Sequence, residues 1–225
     1  MQKKEWQSCQ SASYMDLVEQ RIESILLDWC EQFIDLFSDN MMLISPTSIL
    51  DIGCQAGQFY KSLRARELTS LVNYTGVDIE ELYLQIGRRK YSEITGSFHH
   101  LDFLECDPSD WVQDLSVNSA TLEHIDEWKV FVANQLEATK KMAIIRTFLG
   151  DETRRDLCLA SGARDPYPVW QFSIEEFIIH LRSLGWTCVL HRDRFTSSQP
   201  FSLFYDNMPS GIVRRIIVCC CYPTT

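Results

Sequence analysis

Residues 47–63, "TSILDIGCQAGQFYKSL", run from an apolar stretch holding the acid Asp51, through glycines at 53 and 57, into a helical pattern. Glycines between a strand and a helix let the backbone turn sharply and let another group approach it closely. A loop that admits a pyrophosphate needs G-x-G-x-x-G. Here the spacing is G-x-x-x-G, with Gln55 and Gln58 at the other two glycine places. A bulky Gln55 obstructs a pyrophosphate and Asp51 repels it. An acid at that position suits a ligand that carries an ammonium group.

Outward from this loop, short β-branched or apolar runs alternate with longer helical patterns. The runs are "SILDIG", "VNYTGVDI", "GSFHHLDF", "DLSVNSA", "MAIIRTFL", "TCVLHRD" and "RRIIVCCCY". Helices are expected over roughly 57–68, 80–94, 127–140 and 173–184, the last capped by Ser173 with Glu175 and Glu176 at its positive end. This alternation predicts an α/β fold, a doubly wound seven-stranded sheet with mainly parallel strands. No helical pattern separates the last two runs, so the final strand is expected to return antiparallel. Upstream, residues 12–37 form an amphipathic helical pattern that "LFSDNMMLISPTS" ends, with Ser11 or Ser13 available as caps. The chain thus divides into a helical segment, 1–44, and an α/β domain, 45–225.

The 225 residues are 45% hydrophobic and 23% charged, which suits one soluble domain with a sizeable core. A formal net charge of -10 argues against nucleic acid and anionic membrane surfaces as partners, since both call for a basic face. No apolar run approaches the roughly 20 residues of a membrane span, and the opening "MQKKEWQSCQSAS" lacks the apolar core of a secretory signal. Nine cysteines occur without a CxxC pair, which removes the usual zinc and redox spacings. They read as buried reduced thiols, and the compartment as cytoplasmic. No metal is expected.

In a doubly wound sheet the ligand lies beyond the carboxyl ends of the strands, where strand order reverses. Asp78 ends the second run, where a carboxylate can hold both hydroxyls of a ribose. Asp102 follows the third, placed to accept from an adenine amino group while the Phe103 N–H donates to a ring nitrogen. After the fourth comes "SVNSATLEHIDEW". The ligand these residues describe has an adenosine, an amino-acid end and no phosphates.

Together they resemble the class I S-adenosylmethionine-dependent methyltransferases, over roughly residues 45–222. The family's first-strand motif, D-x-G-C-G-x-G, corresponds to Asp51-Ile-Gly53-Cys54-Gln55-Ala56-Gly57, and the strand-end acids and the "LEH" at 122–124 also match. The resemblance implies S-adenosyl-L-methionine as cofactor, S-adenosyl-L-homocysteine as product, and an antiparallel seventh strand. Asp51 would then contact the methionine ammonium, and Gly53 and Gly57 would admit the cofactor, against the alternative of a plain strand-to-helix turn. Gln55 replaces the family's middle glycine and would either crowd the cofactor or bond its carboxylate. Ile79 would pack on the adenine, and Asn118 and Ser119 would floor the reactive methyl group.

His124 would serve as general base for a hydroxyl acceptor or as a structural brace of its loop, with Glu123 in the bracing. Asp102 could instead cap the segment that follows it. His99 and His100 read as strand filling, with only one able to face the pocket. Arg146, Arg154 and Arg155 flank the fifth strand; Arg154 or Arg155 would clamp an acidic acceptor or stay solvated. Tyr167 and Trp170 would stack on an acceptor or pack in the core. The expected activity is O-methylation of a small molecule, a sugar or other metabolite. The alternatives are a non-catalytic binding module on the same fold and a nicotinamide-dependent oxidoreductase. Helix 12–37 would pack on the domain, cover the cofactor or serve a homodimer.

Overall fold

Side chains alternate between the two faces along each central strand, and both faces of the sheet are covered. The computed structural model describes residues 12–24, 26–158, 167–199, 201–202 and 213–224. Five strands run parallel: β1 (Ser48–Ile52), β2 (Asn73–Asp78), β3 (Phe98–His100), β4 (Gln113–Ser119) and β5 (Thr139–Gly150). After the hairpin strands β6 (Arg154–Cys158) and β7 (Tyr167–Ser173) come β8 (Trp186–Arg192), a short pair β9 (Phe201–Ser202) and β10 (Val213–Arg214), and β11 (Ile216–Pro223). The main order is β3-β2-β1-β4-β5-β11-β8, with β11 antiparallel to both neighbours. That is the seven-stranded, mostly parallel sheet with an antiparallel last strand that the sequence predicts.

The helices are α1 (Ala12–Ser24), α2 (Asp28–Ile44), α3 (Gln58–Ala65), α4 (Glu81–Lys90), α5 (Trp128–Glu137) and α6 (Ile174–Ser183). Alternation along the strands sorts the core into two layers. Ile49, Val117, Ile144 and Val218 meet α1 to α4 through Val18, Phe33, Phe59 and Leu84. Leu50, Ile52, Ile145 and Cys219 meet α5 and α6 through Phe131, Val132, Phe177 and Leu181. Ser173 caps α6 by accepting from the Glu176 N–H.

Three local expectations need correction. The helical pattern 12–37 is two helices, with Leu26 and Leu27 outside both. The second starts where Asp28 and Glu31 meet its positive end. It also runs on through "SDN", where the Asn40 amide donates to the Leu36 carbonyl at 2.7 Å, and stops before Ser45 (φ 37°) and Pro46. α1 begins at Ala12, one residue ahead of Ser13, and Ser11 lies outside the described residues. The third concerns β6 and β7: they pair antiparallel, and β7 adds to the extended end of β5, in a stretch that holds none of the strand runs read from the sequence. Among the described residues no helix is long and apolar enough to cross a membrane.

Candidate active site

Strand order reverses between β1 and β4, which opens the crevice where Asp51 and the glycine loop sit. Asp51 is buried and accepts from the Tyr74 hydroxyl at 2.7 Å. Burial pushes its carboxyl up to about 7 against the pull of that bond, and the Asp78 charge adds to the rise. Beyond it, the Gly53 and Cys54 N–H groups both donate to the Val77 carbonyl, and the Gly57 N–H donates back to the Cys54 carbonyl.

Asp78 closes the loop from the other side. Its Oδ2 accepts from the Gln55 N–H and its Oδ1 from the Glu80 N–H, each at 2.8 Å. Burial raises its carboxyl to about 6, opposed by those two N–H groups. Gln55 itself stands at φ 49°, and its Oε1 accepts from the buried Gln58 amide at 2.8 Å. The two glutamines at the fingerprint's glycine places are therefore bonded to each other.

The glycines answer first to the protein. At Gly53 (φ +74°) a Cβ would stand 2.1 Å from Thr121 Oγ1, and at Gly57 (φ +86°) it would stand 2.9 Å from the Phe98 ring. Close internal approach and left-handed backbone thus require glycine at both positions whatever is bound.

Next to Asp78 a cleft of about 240 Å³ is lined by Ile79, His100, Leu101, Asp102, Glu105 and Cys106. Asp102 both lines it and caps the turn that follows, its Oδ1 accepting from the Leu104 N–H at 3.1 Å. The Phe103 side chain turns away into the core against Phe131. His100, rather than His99, is the histidine at the cleft, and its Nε2 donates to the Ile79 carbonyl. His99 packs edge-on against Trp111 as strand filling.

At the end of β4, Asn118 is wholly buried and its amide donates to the Ile52 carbonyl. It is a strut under the loop and presents no exposed floor. Ser119 Oγ accepts from Arg146, whose guanidinium also clasps the fully buried Asp193 at 2.6 and 3.3 Å. In the 3-10 turn Leu122–His124, Glu123 is buried and accepts from the Thr147 hydroxyl, as bracing requires. His124 Nδ1 donates to the Pro168 carbonyl on β7 at 2.9 Å. That bond places a hydrogen on Nδ1, so a neutral ring carries its lone pair on Nε2.

Asp126 gathers the flanking residues: Arg155 holds it through two nitrogens at 2.8 and 3.2 Å, and the Trp170 indole donates to it at 2.8 Å. Arg155 lies over the Trp170 ring, which stacks on Phe172, while Arg154 pairs with Asp156. Internal ion pairs, rather than solvent alone, engage all three arginines; the Tyr167 side chain lies outside the described residues. No cluster suited to a metal ion occurs among the described residues.

The structure thus brings Asp51, Gly53, Gln55, Gly57 and Asp78 around one loop and sets Ile79 and Asp102 at the adjoining cleft. Sequence reasoning missed Tyr74, Thr121, the Gln58 amide and the Asp126 and Asp193 partnerships. Tyr74 alone carried a signal, since it shares the strand that ends in Asp78.

Residues 49–141 match the family model described as a methyltransferase domain. A comparison by sequence with curated proteins finds no match. Among solved structures, the chain is similar to an S-adenosylmethionine-dependent methyltransferase from Clostridium acetobutylicum, at 12% identity and TM-score 0.62 over 95% of this chain and 98% of that one. It is also similar to the sugar N-methyltransferase KedS8 from Streptoalloteichus, at 14% identity and TM-score 0.60 over 94% and 93%. A third is the 1,6-didemethyltoxoflavin-N1-methyltransferase of Burkholderia thailandensis, at 16% identity and TM-score 0.56 over 96% and 92%. At these identities the likeness establishes the fold, an α/β Rossmann-like methyltransferase fold.

Proposed function

We propose that this chain, with the fold of the class I S-adenosylmethionine-dependent methyltransferases and a matching methyltransferase domain at residues 49–141, methylates a hydroxyl oxygen of a small molecule. The observation that carries the reading is Asp78, whose carboxylate is held by two backbone N–H groups next to Ile79, which with Asp102 lines the adjoining cleft. A nucleoside fits that arrangement: ribose hydroxyls on Asp78, the adenine against Ile79 with Asp102 and the Phe103 N–H at its edge. Asp51 then faces the ammonium, while Gly53, Gln55 and Gly57 carry the methionine end. Asn118 supports this loop from below, and Ser119 would lie beside the methyl group.

S-adenosyl-L-methionine, when bound, supplies a methyl group on a sulfonium that is its own leaving group. The chain is left to orient the two reactants. For a hydroxyl acceptor, His124 is our candidate to take the proton. Its Nδ1 bond to Pro168 fixes the ring, points the Nε2 lone pair outward from that bond, and ties the turn to β7. We take the tie as its main role. His124→Ala is accordingly expected to lower Tm along with turnover. A variant with unchanged melting and cofactor affinity but lost turnover would make it a general base instead.

Structural neighbours named for a sugar and for 1,6-didemethyltoxoflavin support a small-molecule acceptor, as does a net charge of -10 against nucleic acid. The buried thiols of β11 support a cytoplasmic setting. α1 and α2 pack over one face of the sheet, which supports segment 1–44 as a cap on domain 45–225; a homodimer through it is open to sedimentation. Calorimetry with S-adenosylmethionine, S-adenosylhomocysteine and NAD tests the whole reading. Binding of the first two alone supports it, NAD binding points to an oxidoreductase, and silence from all three to a non-catalytic module. Labelled methyl donor with a metabolite extract then identifies the acceptor atom.

A further inference from the structure

β11 carries three consecutive cysteines, and alternation divides them between the faces of the sheet: Cys220 packs with the α1–α4 layer, Cys219 and Cys221 with the α5–α6 layer. Cys188, on β8, packs against that second layer too. The antiparallel register sets Cys221 directly opposite Cys188. Residues so placed have Cα atoms about 4.5–5.5 Å apart, inside the range of about 4.4–6.8 Å that disulfides span. The Cys221 Sγ lies against the Cys219 carbonyl of its own strand, and both thiols are free.

Their surroundings differ in a useful way. Cys221 is fully buried, whereas Cys188 is half-buried on the strand that ends the sheet. The Cys221 thiol opposite it and the charge of Arg182 on α6 hold the Cys188 thiol below its ordinary range, against the opposing effect of burial. The neighbouring Cys188 thiol and burial push the Cys221 thiol well up. One sulfur is reachable and more readily ionised, while the other is sealed beneath it and keeps its proton.

We propose that Cys188 and Cys221 form a peroxide-responsive dithiol pair that closes reversibly into a disulfide across β8 and β11. The Cys188 thiolate attacks one peroxide oxygen; the O–O bond breaks and hydroxide leaves, taking up a proton as water. The sulfur, oxidised by two electrons, is now a sulfenic acid. The Cys221 sulfur then attacks it, an S–S bond forms, the S–O bond breaks, and the oxygen leaves with the Cys221 proton as a second water. Two thiols and one hydrogen peroxide become a disulfide and two waters. The ring so closed contains Asp193, the partner of Arg146, so the bond staples the base of the loop that carries it. The inference does not depend on the methyl-transfer reading.

The test is to reduce the full chain, remove the reductant, add hydrogen peroxide, quench with an alkylating reagent and map the digest by mass spectrometry. We expect two thiols lost per chain, a peptide pair joined through Cys188 and Cys221, and recovery of both thiols with dithiothreitol. The Cys219→Ser/Cys220→Ser variant should keep the link. Cys221→Ser should leave Cys188 as a sulfenic acid that a dione reagent traps. In the unaltered chain, Cys188 joined to any other cysteine, stalled as a sulfenic acid, or left unmodified would each overturn the proposal. That mapping requires no variant to fold.

Discussion

Gln55 holds a left-handed backbone conformation that costs an ordinary residue about 1–2 kcal/mol, and it does so while donating its N–H to Asp78. Asp78 is therefore where a single change should be most informative. Asp78→Ala is expected to weaken cofactor binding by about 1–3 kcal/mol, read by calorimetry, through loss of charged hydrogen bonds. The two crevice acids also make a prediction of opposite signs. Their folded values, about 7 for Asp51 and about 6 for Asp78, lie above the ordinary 3.8. The ligand-free fold thus holds protons that the unfolded chain has released, and their contribution to stability is lost as pH rises through this window. An ammonium ligand needs Asp51 ionised, so affinity should strengthen over the same rise. Melting curves and calorimetry between about pH 5 and 8 should show Tm without ligand falling while Kd tightens. At this scale the acids were legible in the sequence because strand ends place them. The Gln55–Gln58 bond was not, since nothing in the spacing of two amides says that they point at each other.

Between elements, Gln32 on α2 is the joint that the helical pattern hid. Its amide donates to the Arg192 carbonyl at 2.6 Å and its oxygen accepts from the Arg194 N–H at 2.8 Å, and it is buried. Gln32→Ala leaves two backbone groups of the β8 end without their partner, so we expect a loss of about 1–3 kcal/mol in denaturant titration with the slope unchanged. The parallel strands could be read from the sequence because burial on both faces demands apolar runs. The hairpin β6–β7 escaped because "RRDLC" is polar and mostly exposed: its residues are held by Asp126 and by backbone pairing rather than by a core. "SDN" looks like a helix stop in the sequence, and the Asn40 side-chain bond to Leu36 that carries α2 past it shows only in three dimensions.

Across the whole molecule, Arg146 inside β5 and Asp193 just past β8 are joined although 47 positions separate them. Burial alone would raise the Asp193 carboxyl, but the bonds and charge of Arg146, with Thr196, hold it below its ordinary value. Arg146→Met strands that carboxylate without a cation, and we expect about 3–5 kcal/mol of lost stability. Adding Asp193→Asn removes the orphaned charge while keeping an acceptor for Thr196, so the double variant should recover part of the loss in thermal melts. No local pattern pairs residues so far apart, which is why this clasp was invisible in the sequence. The placement of β11 has a consequence for how the chain is made. Residues 216–223 are translated after all the strands they hold together, yet they fill the slot between β5 and β8. Until they emerge from the ribosome, β5 shows the nascent chain's surroundings an unzipped apolar border. Any pause in synthesis before that point would present the same border to chaperones, or to another unfinished copy.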